Sequence, residues 1–138
     1  TFTYFLSEEF TSSEITQQIR TVDFMPTILD YLGIPFDNNY EKPDGVSLMP
    51  LFYGESVPEQ IAYSETGNPL DKKEPPKEPN TKSVRTPKWK LILNQHDDSR
   101  ELYNLELDPN EEKNLFGKGE KTEPFLWEKL EKLMKVSD

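Results

Sequence analysis

The sequence predicts an α+β fold: a small antiparallel sheet of about four strands with a C-terminal helix packed across it. Two observations support this prediction. Trp89, Leu91 and Leu93 face one way while Lys88 and Lys90 face the other, as in a half-buried strand. The last segment places Leu126 and Leu130 on one face of a helix. Two short helices, marked by Pro and Gly, precede the strands.

Composition limits what this chain can be. Of its 138 residues 33% are hydrophobic, which is below the roughly 45–50% apolar share of an average globular domain, so a self-sufficient core is not expected. The formal net charge of −10 disfavours a nucleic-acid partner. With no cysteine, disulfide frameworks, thiolate zinc sites and cysteine nucleophiles are excluded. No apolar run is long enough to span a membrane.

The first half of the chain contains a predicted strand and two predicted helices. In residues 1–6, Phe2, Tyr4 and Leu6 alternate with Thr1 and Thr3, which favours a strand, although Phe5 breaks the pattern. A helix follows in VDFMPTILDYLGIP, with Asp23 as its N-cap and an apolar stripe on one face. Its stripe comprises Phe24, Ile28, Leu29 and Leu32. The segment VSLMPLFYG repeats the pattern with Ser47 as cap and Gly54 as terminator, and predicts about two helical turns.

Strands and one long loop make up the next part of the chain. QIAYSE alternates as a strand does. Residues 71–82 contain Pro, Lys and acids without an apolar residue, and therefore predict a solvated, mobile loop. KWKLIL then predicts a strand with Lys88 and Lys90 on its wet face. ELYNL should pair back on it, with Tyr103 and Leu105 on one face.

The end of the chain combines an acidic turn with the closing helix. Asp108, Pro109 and Asn110 fit the first three positions of a type I turn, and the nearby acids should offset the lysine charges of the preceding strand. In TEPFLWEKLEKLMKVSD, Thr122 is the expected cap and Pro124 falls in the first turn. Its apolar stripe, which should cover the sheet, comprises Leu126, Leu130, Leu133 and Met134.

Catalytic motifs are not found in the sequence. His96, the single histidine, lies in a predicted turn, where a solvated side chain is the simpler interpretation. Asp97, Asp98 and Glu101 offer at most a weak cation site, because their spacing lacks the EF-hand pattern. No Gly-rich phosphate loop or G-x-S-x-G motif occurs. The residues themselves therefore predict a non-catalytic piece with uncovered apolar faces.

Four motifs, taken in order, carry a resemblance to a known family. VDFMPTILDYLGIP, DGVSLMPLFYG, SVRTPKWKLI and ELYNLELDPNEEKNL together resemble the C-terminal third of type I sulfatases, in the alkaline phosphatase superfamily. The resemblance covers about residue 21 to the C-terminus. It implies a parent enzyme that hydrolyses sulfate esters or sulfamates with a formylglycine and a calcium ion. The nucleophile motif C/S-x-P-x-R is not found here, so no catalytic or metal-binding residue is assigned to this chain.

The resemblance also implies a division of the chain and a set of partners. Residues 1–54 would be the end of the catalytic α/β domain, and residues 55–138 a small C-terminal subdomain. The expected partners are the upstream catalytic domain and, through it, a small or polymeric sulfated substrate. Glu65 and Arg85 are the candidates for the rim of the substrate cleft, although Arg85 serves equally well as a structural ion-pair residue.

The resemblance leaves a second function class open. The alternative is a non-catalytic interaction or accessory module on a sulfatase-derived scaffold. Relatives are mostly exported to the periplasm or the medium, or delivered to lysosomes, and the resemblance suggests the same location here.

Overall fold

A computed structural model describes residues 9–10, 14–37, 39, 41–67 and 80–137. The chain forms two compact units, residues 1–59 (unit 1) and 60–138 (unit 2). The strand predicted in residues 1–6 lies outside the described residues. The assignment of residues 1–54 and 55–138 to two functional domains stays a prediction.

Unit 1 contains both early helices. A 3-10 turn, Thr21–Asp23, leads into α1, Phe24–Tyr31, and α2 follows at Met49–Phe52. Both helices end at the predicted glycines, because Gly33 and Gly54 adopt φ values of +64° and +78° that other residues rarely tolerate. The prediction of about two turns for α2 was wrong. Its N-cap position is Leu48 rather than Ser47, and only one turn fits before Gly54.

One side of α1 is uncovered. Val22, Met25, Ile28 and Leu32, here called the α1 stripe, are 48%, 50%, 46% and 58% exposed. Their spacing of three to four residues places them along one side of the helix. On the inner side, Asp23 and Thr27 are buried. An apolar stripe of this kind is typical of a surface that a further part of the protein covers.

Unit 2 is the predicted antiparallel sheet with its closing helix. The strands lie in the order β1-β2-β3-β4, and every neighbouring pair is antiparallel. Their bounds are Ala62–Thr66, Thr81–Arg85, Trp89–Asn94 and Ser99–Asn104, and helix α3 spans Glu123–Ser137. Of the predicted loop 71–82, residues 71–79 lie outside the described residues, and the final two residues belong to β2.

The core of unit 2 lies between the sheet and α3. Leu126 and Leu130 of the helix are fully buried, as the apolar stripe predicted. They pack with three fully buried strand residues, Val84, Leu91 and Leu102.

The pairing of β3 and β4 differs from the prediction. Leu91 pairs with Leu102, so Leu102 points to the helix, whereas Tyr103 pairs with Lys90 on the opposite face. Leu105 lies beyond the end of β4, where its N–H donates to the carbonyl of Lys88 at 2.8 Å. The sequence favoured Tyr103 and Leu105 because both fit a period of two. A shift of one residue in the pairing moves every side chain to the other face, and local alternation does not fix that shift.

Candidate functional site

Among the described residues of unit 1, the most buried charged group is the carboxylate of Asp23, which is 1% exposed. It binds the guanidinium of Arg20 at 2.7 Å and accepts the backbone N–H of Val46 at 3.0 Å. The N–H of Arg20 also donates to it, at 2.8 Å. We call Arg20, Asp23 and Val46 the Asp23 cluster. Asp23 occupies the predicted N-cap position of α1, but its side chain makes no cap hydrogen bond to the helix and accepts the N–H of Val46 instead.

The pKa of Asp23 reflects these contacts. Burial raises the pKa, but the hydrogen bonds from the Arg20 side chain and from two backbone N–H groups, together with the Arg20 charge, outweigh it. The net result is a pKa below the ordinary value of 3.8. Both carboxylate oxygens already have partners, so the group holds the chain together rather than acting as a base.

A second set of contacts joins α1 to the segment before α2. The hydroxyl of Thr27 donates to the carbonyl of Asp23 at 2.5 Å and accepts the N–H of Leu48 at 2.9 Å. The Ser47 hydroxyl donates to the carboxylate of Asp30. These contacts explain the spacing of the first two motifs, because Asp23, Thr27 and Asp30 each meet a group 17 to 23 residues further along the chain.

Gly45 lies where this segment passes closest to the helix start. A Cβ atom at this position would be 2.0 Å from the carbonyl oxygen of Val22. We therefore expect Gly45→Ala to lower the stability of unit 1 by about 1–3 kcal/mol. The measurement is hydrogen exchange of the Val46 and Leu48 amides, with Gly33→Ala as a control that strains the backbone at a helix end, outside this contact. Unchanged exchange of both amides in Gly45→Ala would show that the close approach does not form.

In unit 2, a polar network lies on the sheet face opposite α3. The carboxylate of Glu101 accepts the Tyr103 hydroxyl at 2.6 Å and the Asn94 side-chain amide at 2.8 Å. The amide oxygen of Asn94 in turn accepts the hydroxyl of Thr81, at 3.1 Å. The network joins three strands and was missed from the sequence, because its members share no short motif.

The network changes the titration of Tyr103. The hydrogen bond to Glu101, burial and the nearby negative charges raise its pKa to about 12. Because the pKa of Tyr103 is raised in the folded state, the stabilisation from its hydrogen bond to Glu101 is present below pH 10. It is lost as the pH rises through about 12. In a titration followed by phenolate absorbance, we expect a late component, a tyrosine that ionises near pH 12. Tyr103→Phe should remove this component. Glu101→Gln should move this component toward the ordinary value of 10.0. Tyr53→Phe is the control, and loss of the late component in that variant would refute the assignment.

The basic strand residues are paired with acids, as the sequence predicted. Lys90 binds Glu111 at 2.6 Å, and Lys88 binds Glu106 at 3.3 Å. The turn itself forms as expected, since the N–H of Glu111 donates to the carbonyl of Asp108 at 3.2 Å. The N–H groups of Glu112 and Lys113 donate to the Asp108 carboxylate and lower its pKa. Lys90 therefore joins the acidic turn to the sheet, whereas Lys88 pairs with an acid that precedes the turn.

Glu65 and Arg85, the two predicted rim residues, are not brought together. Arg85 pairs with Ala62, and Glu65 pairs with Lys82, three positions further along the ladder. Their backbones are therefore about 10 Å apart along the strands. The odd spacing also places them on opposite faces of the sheet. Of the two, only Glu65 lies near the end of the sheet where β1 ends and β2 begins, and the rim role of both residues stays a prediction.

The structure also locates the weak candidates for metal binding. His96 contacts Asp97 at 3.3 Å within its turn, and the Asp97 carboxylate accepts the N–H of Ser99. The carboxylate of Glu101 is engaged on the sheet face. Within the described residues no three His, Asp or Glu side chains converge as metal ligands, so the weak cation site proposed for these acids does not form. The described residues therefore do not offer a set of ligands that fits calcium.

Comparisons with known proteins give the class of this fold. The small sheet with its C-terminal helix is the fold of a sulfatase C-terminal segment, as the motifs predicted. The chain belongs to the family described as N-sulphoglucosamine sulphohydrolase, C-terminal, whose model matches residues 6–136. Across the described residues, no helix is long and apolar enough to cross a membrane.

Individual relatives agree with this family. The chain is 33% identical over 135 residues to an N-acetylglucosamine-6-O-sulfatase of Bacteroides thetaiotaomicron, covering 91% of this chain and 22% of that protein. A solved structure of BT4656 with its substrate D-glucosamine-2-N,6-O-disulfate has a TM-score of 0.64 at 30% identity, over 82% of this chain and 23% of that one. BT1596, a 2-O GAG sulfatase, has a TM-score of 0.55 at 28% identity, over 83% of this chain and 23% of that one. The chain thus spans less than a quarter of these relatives.

Proposed function

We propose that this chain completes the fold of a hydrolase of sulfate esters or sulfamates and forms part of the wall of its substrate cleft. The α1 stripe carries the proposal, because four apolar side chains about half exposed need a further protein layer to cover them. The relatives support it, since most of their length lies outside the part that this chain matches. In this proposal, the part of the parent enzyme outside this chain supplies the nucleophile, the calcium ion and the chemical step. Export or delivery to lysosomes is proposed from the family resemblance alone.

The test compares three proteins made from the natural gene: the full-length product, the product without residues 1–138, and this chain alone. We expect only the full-length product to hydrolyse p-nitrocatechol sulfate, because hydrolysis needs a positioned nucleophile or metal. Turnover by this chain alone, above a heat-killed control, would overturn the proposal. Equal turnover with and without residues 1–138 would show that they do not complete the enzyme and would favour an accessory module.

The rim role of Glu65 and Arg85 is a separate part of the proposal. Since the two residues lie on opposite faces of the sheet, Arg85→Ala and Glu65→Ala in the full-length enzyme report on different faces. A cation that binds a sulfate group should raise KM about tenfold or more when it is removed, with little change in kcat. An unchanged KM in both variants would remove the rim role and leave Arg85 as an ion-pair residue.

A further inference from the structure

Strand β4 lies at the edge of the sheet in unit 2. Within the described residues it pairs with β3 alone, so the N–H and C=O groups of every second β4 residue point away from the sheet. The N–H of Leu105 donates to the carbonyl of Lys88, which sets the alternation. The outward groups therefore belong to Arg100, Leu102 and Asn104. Outward groups of an edge strand are a template on which a strand of another chain can pair.

The side chain of Asn114 occupies this edge in place of a further strand. Its amide oxygen accepts the N–H of Leu102, and its amide nitrogen donates to the carbonyl of Arg100, both at 3.0 Å. The N–H of Leu115 donates to the carbonyl of Leu102 at 2.8 Å. Both outward groups of Leu102 and the outward carbonyl of Arg100 are therefore already hydrogen-bonded within the chain.

The residues that lead to Asn114 are fixed against the same side of the sheet. The N–H of Asp108 donates to the carbonyl of Asn104 at 2.7 Å, which engages the third residue of the edge. Glu111 has a φ of +58°, a left-handed conformation that is uncommon outside Gly, and its two carboxylate oxygens bind the ammonium group of Lys90 at 2.9 and 2.6 Å. Such a conformation persists where other contacts determine it. We call residues 108–115 the edge segment.

We propose that the edge segment is a guard that prevents strand addition at β4, and that Asn114 is the residue on which the guard depends. The partner that it excludes is the β4 edge of a second copy of this chain, because identical open edges can pair with each other. Behind this edge lies β3, whose sequence WKLILN is rich in apolar residues and lacks Pro, as segments that aggregate through strand pairing do. This role goes beyond the proposed function, since it requires neither the parent enzyme nor a substrate.

Asn114→Ala tests the guard, because it removes the side chain that reaches Leu102 and Arg100 without touching the core between α3 and the sheet. Asn110→Ala makes the same chemical change at an exposed position of the edge segment and is the matched control. Hydrogen exchange of the Leu102 amide is measured in dilute samples, and self-association is measured by sedimentation over a range of concentrations. In Asn114→Ala we expect exchange at Leu102 to be about tenfold faster and self-association to be about tenfold stronger than in the parent chain.

A double variant shows whether this association uses the β4 edge. The N–H of Arg100 points away from β3, so Arg100→Pro keeps the pairing of β3 and β4 while removing an outward donor. Added to Asn114→Ala, it should return self-association to the level of the parent chain. Association that persists in the double variant, or that is equally strong in Asn110→Ala, would overturn the proposal.

The exchange data separate guarding from simple stabilisation. Unchanged exchange at Leu102 in Asn114→Ala would show that the Asn114 side chain does not occupy the edge, which overturns the proposal. Faster exchange without added self-association would show that Asn114 stabilises β4 but guards nothing, and this result also overturns it. If Asn114→Ala loses its folded tryptophan fluorescence, Asn114→Gln is measured in its place with the same expected results, because its longer side chain retains the amide but not the spacing.

Discussion

Leu130→Ala is expected to lower the free energy of unfolding of unit 2 by about 2–5 kcal/mol. Leu130 is fully buried, and together with Leu126 it forms the helix side of the core against Val84, Leu91 and Leu102. Removing its branched end leaves a cavity between the helix and the sheet, which the rigid strands cannot close. The fall should come mainly from lost apolar burial, so it should be present across the pH range in which the chain is folded.

Tryptophan fluorescence during urea unfolding measures this effect specifically. Both tryptophans of the chain, Trp89 and Trp127, lie in unit 2 and pack against its core. Lys132→Ala, on the exposed side of the same helix, is the control and should stay within about 0.5 kcal/mol of the parent chain. If Leu130→Ala also unfolds within about 0.5 kcal/mol of the parent chain, α3 is not docked on the sheet as described.

Arg20→Met should destabilise unit 1 by about 3 kcal/mol at neutral pH, the lower end of the range for a broken buried ion pair. The substitution keeps most of the aliphatic stem and removes the guanidinium, so Asp23 remains charged, 1% exposed and without its cation. Two backbone N–H groups still donate to the carboxylate, which is why the upper end of the range is not expected.

The effect of Arg20→Met on stability should depend on pH, because the pKa of Asp23 is lowered in the folded chain. In the folded parent chain this pKa is lowered, so the stabilisation is present above the unfolded value of 3.8 and is lost as the pH falls through the folded value. The difference between Arg20→Met and the parent chain should therefore shrink below about pH 3.8.

Hydrogen exchange of the Val46 amide, which donates to Asp23, measures this effect across the pH range. Lys42→Ala serves as the control, since it removes an exposed cation from the same unit. If the difference in Val46 exchange between Arg20→Met and the parent chain stayed constant down to pH 2, the guanidinium would not act on the Asp23 carboxylate.

Several features of the fold were predictable because their causes are local. The ends of α1 and α2 follow from Gly33 and Gly54, which adopt the left-handed conformation that stops a helix. The acidic turn follows from Pro109, which presets the backbone of a type I turn. The stripe that includes Leu126 and Leu130 follows from the period of 3.6 residues. In each case the deciding residues lie within one or two turns of each other.

The candidate site was less predictable, because most of its contacts depend on which segments meet in the folded chain. Asp23 looked like a helix cap, yet its carboxylate binds the N–H of Val46, 23 residues away. No residue near Gly45 in the sequence indicates that the carbonyl of Val22 lies beside it. Glu101 and Asn94 are apart in the chain and meet only because β3 and β4 pair in one particular register.

By itself the sequence determined the order of the three helices and of strands β1, β3 and β4, the pairing of lysines with nearby acids, and the family, since each rests on local patterns or on ordered motifs. Strand β2 was not predicted, and its first two residues fall in the predicted loop. Only the tertiary structure decided that Leu102 faces the helix, that Glu65 and Arg85 lie on opposite faces, and that the α1 stripe is left uncovered. Strand register and burial depend on which distant segments meet. A change of one residue in register reverses every face while leaving the local pattern of the sequence unchanged.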